Sequence, residues 1–225
     1  MLLTTEAILF DLDGVLVDSS RCVARAWFRW AERNGLDAER TFALGHGRTT
    51  LDHIRAAAPH LATEEAAAEI DALEERHIAE VRAEPGAVAA TEELTRAEVA
   101  WGVVTACTLP VATARLSLAG IIPPSVMVTA DELRRGKPAP DGYLLGCSRV
   151  GVDPARTLVF EDAPAGIEAA RAAGTQVVAL CTTHRAEQLL EADAAVRDLS
   201  QVRFQQTPGR NGVTVGITSF DPKIA

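Results

Sequence analysis

The sequence lacks the features that would place the protein in a membrane or on a nucleic acid. No apolar run approaches the roughly 20 residues that a helix needs to cross a bilayer. The segment Met1 to Glu6 has no basic start and leads into a predicted strand, so we expect no secretory signal peptide. Basic residues are in deficit, because 22 Lys and Arg against 31 Asp and Glu give a net charge of -9. A nucleic-acid surface carries a basic stripe, so we expect neither nucleic-acid nor membrane binding.

Cysteine is also scarce, and its spacing gives no disulfide framework. Cys22, Cys107, Cys147 and Cys181 lie far apart and form no C-x-x-C pair. In a chain of 225 residues we interpret them as reduced thiols of a cytoplasmic protein. Cys107 lies near a candidate site residue, but we expect it to be inert because no activating base is evident nearby. A length of 225 residues allows one large core, or a core with a smaller companion domain. The composition, 48% hydrophobic and 24% charged, is ordinary for a soluble globular protein.

The stretch Ile8 to Ser19, I-L-F-D-L-D-G-V-L-V-D-S, is the most informative part of the chain. Its apolar start is typical of a strand buried on both faces of a parallel sheet. Asp11 and Asp13 follow at alternate positions and could face one crevice, and Gly14 lets the chain turn sharply. Such a carboxylate pair can hold a hard divalent cation such as Mg²⁺. The alternative is an ordinary turn, since Asp and Gly are common where strands end.

The segment that follows, residues 19–85, reads as helical. Val23, Trp27, Trp30 and Ala31 recur at three- and four-residue intervals, which predicts an amphipathic helix with both tryptophans in its core face. Three helices are expected, ending at Gly35, running from Thr50 to Ala58, and running from Thr63 towards Val81. An all-helical block placed directly after an acidic strand indicates an inserted domain.

From Ala87 onwards, strand and helix patterns alternate. The expected strands are 99–105, 126–128, 157–160, 177–180 and 194–196, and the expected helices are 87–96, 109–119, 140–149 and 164–173. This alternation predicts an α/β fold with a central parallel sheet and helices on both faces. Ligands of such sheets bind at the carboxyl ends of the strands. A terminal hairpin is expected from 202–205 and 213–217 around Asn211-Gly212.

Two further motifs bring groups that suit phosphate. In V-V-T-A-C-T-L-P, Thr105 ends a predicted strand, and Pro110 marks a helix start whose N–H groups could grip an anion. In R-R-G-K-P-A-P-D, Lys137 lies on a predicted loop between Gly136, which is flexible, and Pro138, which is rigid. Threonine is frequent at strand ends, and most lysines are solvated. A site with several carboxylates and a phosphate needs a fixed positive charge, and Lys137 is the best candidate.

The last motif is L-V-F-E-D-A-P-A-G. Glu161 and Asp162 follow a predicted strand directly, and Pro164 begins a helix. Acids at a helix start can simply complement its dipole. Hard-metal sites are built from oxygen ligands on separate loops, so this pair is the natural second half of the site begun by Asp11.

F-D-L-D-G-V-L-V-D-S resembles the first motif of the haloacid dehalogenase superfamily of phosphohydrolases, and the other three motifs follow in that superfamily's order. The stretches A-W-F-R-W-A-E-R-N-G-L, H-G-R-T-T-L-D-H-I and G-K-P-A-P-D-G-Y-L-L-G are similar to bacterial sugar phosphatases and to yeast glycerol-3-phosphate and 2-deoxyglucose-6-phosphate phosphatases. The resemblance implies a Rossmann-like core, 1–18 and 86–225, with a helical-bundle cap, 19–85. It also implies Mg²⁺-dependent hydrolysis of a small sugar or polyol phosphate.

The roles of the acidic residues are what this resemblance implies. Asp11 is expected to be the nucleophile that forms an aspartyl-phosphate, and Asp13 the general acid and base. Mg²⁺ is expected on Asp11, the backbone carbonyl of Asp13 and Asp162, with Glu161 bound directly or through water.

The remaining expected contacts concern the substrate. Thr105, the N–H groups after it including that of Ala106, and Lys137 are expected to hold the transferred oxygens. The cap is expected to close over the site. His46 and Arg48, on a loop with two glycines, are the expected contacts to the sugar or polyol.

Three alternative functions can be compared with this one. A β-phosphoglucomutase-like phosphotransferase resembles the chain in all four motifs, but such mutases carry a cap-side His where this chain has Val23. That difference favours hydrolysis. A dehalogenase is disfavoured because Asp13 serves phosphoryl chemistry. A catalytically silent phosphate-binding module is the non-enzyme alternative, and no motif position is missing to support it. We expect a monomer, and the sequence does not name the substrate.

Overall fold

A computed structural model describes residues 1–45, 48–206 and 212–217. The β-strands are β1 (Leu2–Thr5), β2 (Ala7–Phe10), β3 (Val17–Asp18), β4 (Arg82–Ala83), β5 (Ala100–Val104), β6 (Val126–Val128), β7 (Thr157–Glu161), β8 (Gln176–Leu180), β9 (Ala194–Val196), β10 (Val202–Gln206) and β11 (Val213–Ile217). The α-helices are α1 (Ser20–Arg33), α2 (Ala38–Ala43), α3 (Thr50–Ala57), α4 (Glu64–His77), α5 (Ala87–Arg96), α6 (Leu109–Leu118), α7 (Asp141–Val150) and α8 (Pro164–Ala172). Short 3₁₀ turns lie at Pro59–Leu61, Ile78–Glu80, Ala130–Glu132, Pro154–Arg156, Ala186–Gln188 and Leu199–Gln201.

A parallel sheet of order β6-β5-β2-β7-β8-β9 forms the centre of the fold. Ile8 of β2 pairs with Trp101 of β5 on one side and with Leu158 of β7 on the other, in parallel register. Along the chain, β5 and β6 are added on one side of β2, and β7, β8 and β9 are then added on its other side. Strand order therefore reverses at β2, and a crevice forms beyond the carboxyl ends of β2, β5 and β7. The predicted parallel sheet is confirmed.

Helices cover both faces of this sheet, as predicted. Successive residues of a strand point to opposite faces. Ile8 and Phe10 accordingly pack in a cluster with α5 and α6, and Leu9 packs in a second cluster with α7 and α8. All of β2 is buried, which explains its uninterrupted apolar sequence.

The segment between β3 and β4 has a hydrophobic cluster of its own. Trp27, Trp30, Ile54 and Ile70 are its larger members, and they come from α1, α3 and α4. Val17 pairs with Ala83 where the chain enters and leaves the helical segment. Both tryptophans are buried, as predicted. The block is not wholly helical, since β4 lies in it, and α2 was not predicted. The division into core and cap stays a prediction.

A second sheet, antiparallel and of order β1-β11-β10, combines the first strand of the chain with its last two described strands. The predicted hairpin is confirmed in the pairing of β10 with β11, although Asn211 of its expected turn lies outside the described residues. The addition of β1 to this hairpin was not predicted. Over the part of the chain that the structure describes, no helix combines the length and apolar character needed to cross a membrane.

Candidate active site

The predicted acidic residues meet at the central crevice. Asp11 comes directly after β2, and its N–H donates to the carbonyl of Phe160 in β7 at 3.0 Å, which continues the ladder one residue past the strand. Glu161 ends β7, and Asp162 follows it. Asp11, Glu161 and Asp162 are buried, and each offers an oxygen atom within 4.8 Å of the others. Two adjacent strands thus bring three carboxylates to one point.

Lys137 lies within this group and is not solvated. Its Nζ is 2.6 Å from Oδ1 of Asp11 and 2.5 Å from Oε1 of Glu161, and its side chain is only 7% exposed. The loop between β6 and α7 delivers it. The hydroxyl of Tyr143 on α7 donates to the same Oε1 at 2.6 Å. Sequence reasoning missed Tyr143, although it is the chain's single tyrosine and follows the lysine motif closely.

The charges of this group do not balance. Burial raises the pKa of Asp11 to about 7, against the opposing effect of Lys137. Burial, together with the Glu161 and Asp11 carboxylates, raises the pKa of Asp162 well above its usual range. Burial opposes the charge on Lys137, but the two carboxylates that it contacts raise its pKa above the ordinary value. Three buried carboxylates around one ammonium are the donor set of a hard dication such as Mg²⁺, so the residues present fit that ion.

Backbone geometry fixes the acids in place. Oε2 of Glu161 accepts from the N–H groups of Asp162 and Ala163 at 3.0 and 3.3 Å. A Cβ on Gly166 would lie 1.8 Å from Oε1 of Glu161, so only glycine leaves room for that carboxylate against α8. Gly14 has φ of +78°, and a Cβ there would lie 2.3 Å from Oδ2 of Asp162. The turn expected at Gly14 thus also makes space for Asp162, while the role of Gly166 was not predicted.

Asp13 lies at the same edge with different partners. Its Oδ1 accepts from Nη1 of Arg115 at 2.7 Å and from Oγ of Ser19 at 2.6 Å. Its Oδ2 accepts from Sγ of Cys107 at 3.1 Å. The other terminal nitrogen of Arg115 contacts the Glu74 carboxylate. Asp11 and Asp13 both line the cavity, as alternation predicts, yet each carboxylate has its own cation. Arg115 and Glu74 were missed.

The threonine motif lies beside the acids. Thr105 is buried, its N–H donates to the carbonyl of Val128, and its Oγ1 accepts from the N–H of Cys107 at 3.1 Å. Thr105, Ala106 and Lys137 line a small cavity that adjoins the main one. The N–H of Leu109, at the start of α6, donates to the Asp131 carboxylate at 2.7 Å. A protein carboxylate therefore already occupies part of the helix end that was expected to face an anion.

A cavity of about 810 Å³ connects this edge of the sheet with the helical segment. Asp11, Asp13 and Thr105 line its sheet side, and Trp27 and Arg48 are among the residues from the helical segment. His46, the other expected cap contact, lies outside the described residues. The volume suits a small ligand.

Comparison with known proteins agrees with this geometry. The model of the haloacid dehalogenase-like hydrolase family matches residues 5–174. Hexitol phosphatase A of Escherichia coli is 40% identical over 206 residues, which cover 90% of this chain and 95% of that protein. Glycerol-1-phosphate phosphohydrolase 2 of Saccharomyces cerevisiae is 33% identical, with 89% of this chain and 85% of that protein covered. A crystal structure of a hydrolase from Pseudomonas syringae superposes with a TM-score of 0.78 at 25% identity, covering 86% of this chain and 94% of that one.

Proposed function

This chain belongs to the haloacid dehalogenase-like hydrolase family, and on that premise we propose that it hydrolyses the phosphate monoester of a small sugar or polyol. One observation carries the proposal. The Asp11 carboxylate lies beside Lys137 and close to the carboxylates of Glu161 and Asp162. At this position it could contact both a bound dication and a phosphate. The names of the two relatives, a hexitol phosphatase and a glycerol-1-phosphate phosphohydrolase, support the substrate class.

In the proposed reaction, a carboxylate oxygen of Asp11 attacks phosphorus while the bond from phosphorus to the ester oxygen breaks. Asp13, which enters this step as the neutral carboxylic acid, gives its proton to the departing alkoxide, and an aspartyl-phosphate remains on Asp11. Asp13 then takes a proton from water as the water oxygen attacks phosphorus and the bond from phosphorus to the Asp11 oxygen breaks. Phosphate is released, Asp11 returns to the carboxylate and Asp13 to the carboxylic acid. Thr105 and Lys137 hold the oxygens of the transferred group.

Asp11, Glu161, Asp162 and the backbone carbonyl of Asp13 are the proposed Mg²⁺ ligands. The bound ion supplies positive charge that offsets the repulsion between an attacking carboxylate and a phosphate dianion. The raised pKa values of Asp11 and Asp162 support this assignment, since crowded buried carboxylates are what a dication relieves.

Residues 19–85 are proposed to act as a cap over a core of residues 1–18 and 86–225. The separate hydrophobic cluster of the helical segment and its attachment through the β3–β4 pair support this division. Arg48 lines the cavity from this segment and is a proposed substrate contact, as is His46. Closure would exclude water from the reacting groups.

The cavity lining favours hydrolysis over a mutase reaction. Val23 lines the cavity where a mutase would carry a histidine, and its side chain cannot transfer a proton. The non-enzyme alternative has no comparable support, because Asp11, Thr105, Lys137 and Asp162 all lie at the crevice.

We also propose that the protein acts in the cytoplasm as a monomer. All four cysteines carry free thiols, which supports a reducing compartment.

Phosphate release from hexose, hexitol and glycerol phosphates, with and without Mg²⁺, tests the proposed function. We expect Mg²⁺-dependent release that Asp11→Asn lowers at least about 10³-fold with the fold intact, since removal of a nucleophile leaves only residual catalysis. Asp141→Asn is the matched control, because Asp141 pairs with Arg135 on the surface, where an ion pair contributes little. Absence of release from the wild type, or substantial activity in Asp11→Asn, would overturn the proposal.

A further inference from the structure

Arg115 is a buried cation that the proposed reaction does not yet use. Its side chain, on α6, is 2% exposed. Nη1 donates to Oδ1 of Asp13 at 2.7 Å and to Sγ of Cys107 at 3.0 Å, and Nη2 contacts the Glu74 carboxylate. Within the described residues, Nε has no hydrogen-bond partner. All of the hydrogen bonds of this guanidinium are therefore made by its two terminal nitrogens.

These bonds join distant parts of the chain. Asp13 follows β2 in the central sheet, while Glu74 lies on α4 in the helical segment. A guanidinium is planar, and its terminal nitrogens are held at a fixed angle to each other. Each terminal nitrogen contacts one carboxylate. A shift of the Glu74 carboxylate therefore turns the guanidinium, and this moves the nitrogen that contacts Asp13. The orientation of Asp13 is thereby linked to the position of α4.

The link is buried, so its partners depend on one another. Glu74 is 8% exposed, and burial raises its pKa to about 7 against the opposing effect of Arg115. A charge taken out of water is costly unless an opposite charge is in contact with it. Movement of α4 away from Arg115 would separate the desolvated charges of Arg115 and Glu74. Of the two carboxylates, only that of Asp13 would then remain in contact with the guanidinium.

We propose that Arg115 is a positioning residue: it aims the carboxyl group of Asp13 at the leaving-group oxygen, and it does so fully only when α4 places Glu74 on its second terminal nitrogen. The inference rests on the proposed function, in which Asp13 gives a proton to the departing alkoxide. It assigns Arg115 no contact with the substrate. Glu74 becomes the residue through which the helical segment affects the proton-transfer step.

The test compares two kinds of leaving group. An alkoxide from glucitol 6-phosphate or glycerol phosphate needs a proton as it departs, whereas 4-nitrophenolate from 4-nitrophenyl phosphate departs without one. The measured quantity is kcat/KM, which reports steps up to phosphoryl transfer. A loss of general folding or of phosphate binding lowers kcat/KM for both esters alike. Misplacement of Asp13 lowers it for the alkyl ester alone.

We expect Arg115→Met to lower kcat/KM for the alkyl ester about 10²-fold, the usual scale of general acid catalysis, and for the aryl ester less than about 5-fold. Glu74→Gln should give a smaller loss with the same selectivity, and the double variant should be no worse than Arg115→Met, since the residues act as one unit. Arg115→Lys keeps the positive charge but lacks the two terminal nitrogens at a fixed angle. It should recover part of the kcat/KM for the alkyl ester that Arg115→Met loses. Arg149→Met is the matched control, because Arg149 pairs with Glu132 at the surface.

Equal losses on both esters, or an unchanged ratio in a folded Arg115→Met protein, would overturn the inference. If Arg115→Met does not fold, Glu74→Gln and Arg115→Lys decide by the same ratio. The proposed function fails separately, through an inactive wild type or an active Asp11→Asn protein.

Discussion

Two buried cations lie at the carboxyl edge of the sheet, and each contacts two carboxylates. The lysine cluster consists of Lys137, Asp11 and Glu161, and the arginine cluster consists of Arg115, Asp13 and Glu74. In the lysine cluster, Asp11 directly follows β2, Glu161 ends β7, and Lys137 lies on the loop between β6 and α7. The arginine cluster takes one carboxylate from α4 instead. The first is fixed by the sheet, whereas the second depends on where the helical segment lies.

This difference suits the two chemical tasks proposed for the clusters. Charge stabilisation at phosphorus requires groups that do not reorganise, and Glu161 is fully buried, with both oxygens hydrogen-bonded. Proton transfer to the leaving group concerns the part of the substrate that differs from one sugar or polyol to another. Asp13 is 29% exposed at its side chain and is linked to α4 through Arg115 and Glu74, so the helical segment can act on that step.

Replacement of Lys137 should break the lysine cluster and give the largest effect. Lys137→Met should lower kcat/KM about 10²- to 10³-fold, the range for removal of one group that stabilises the transition state. The loss should be equal for alkyl and aryl esters, because the oxygens of the transferred phosphoryl group carry the charge that Lys137 offsets in both. Steady-state rates on glucitol 6-phosphate and 4-nitrophenyl phosphate, with circular dichroism for folding, measure it. A loss confined to the alkyl ester would show that the two clusters do not divide the tasks as proposed.

Replacement of Asp162 should sharpen the account of the lysine cluster, because it removes a carboxylate that Lys137 does not contact. Asp162→Asn should raise the Mg²⁺ concentration required for activity at least about 10-fold. Without metal it should stabilise the fold by about 1–3 kcal/mol, since one crowded buried charge is gone. Urea unfolding with and without Mg²⁺ measures both effects, and Asp141→Asn is the control. A metal-free variant less stable than the wild type would contradict this explanation.

The comparison also shows what sequence reasoning can reach. Lys137 is one of two lysines in the chain and lies between Gly136 and Pro138 in a loop, so its context marks it. Arg115 is one of twenty arginines and lies inside a helix, where its spacing suggests nothing but a solvated side chain. The strand ends that carry acids could be predicted because strand order puts them at one edge.

Contacts that come from the packing of the helical segment could not be predicted. Glu74 lies in an acidic stretch of α4, and it is buried where α4 meets the Arg115 side chain of α6. The pairing of β1 with the terminal hairpin was likewise missed, because a short strand carries no signal for its distant partner. Local pattern predicted the elements, and tertiary packing selected which charges are buried.

Glu84 offers a smaller test of how the helical segment joins the core. It lies just after β4, its N–H donates to the carbonyl of Leu16, and burial followed by the charges of Asp18 and Asp198 raises its pKa from 4.5 to about 7. A carboxyl whose pKa is raised on folding stabilises the fold fully below pH 4.5, and this contribution is lost as pH rises through 7.

Glu84→Gln should remove this pH-dependent loss of stability, because glutamine does not ionise. Above neutral pH the variant should exceed the wild type in stability by less than about 1 kcal/mol, after allowance for solvent screening. Urea unfolding at several pH values measures the difference, with the exposed Glu92→Gln as control. Parallel pH profiles for the wild type and Glu84→Gln would show that the charge of Glu84 does not affect the stability of this connection.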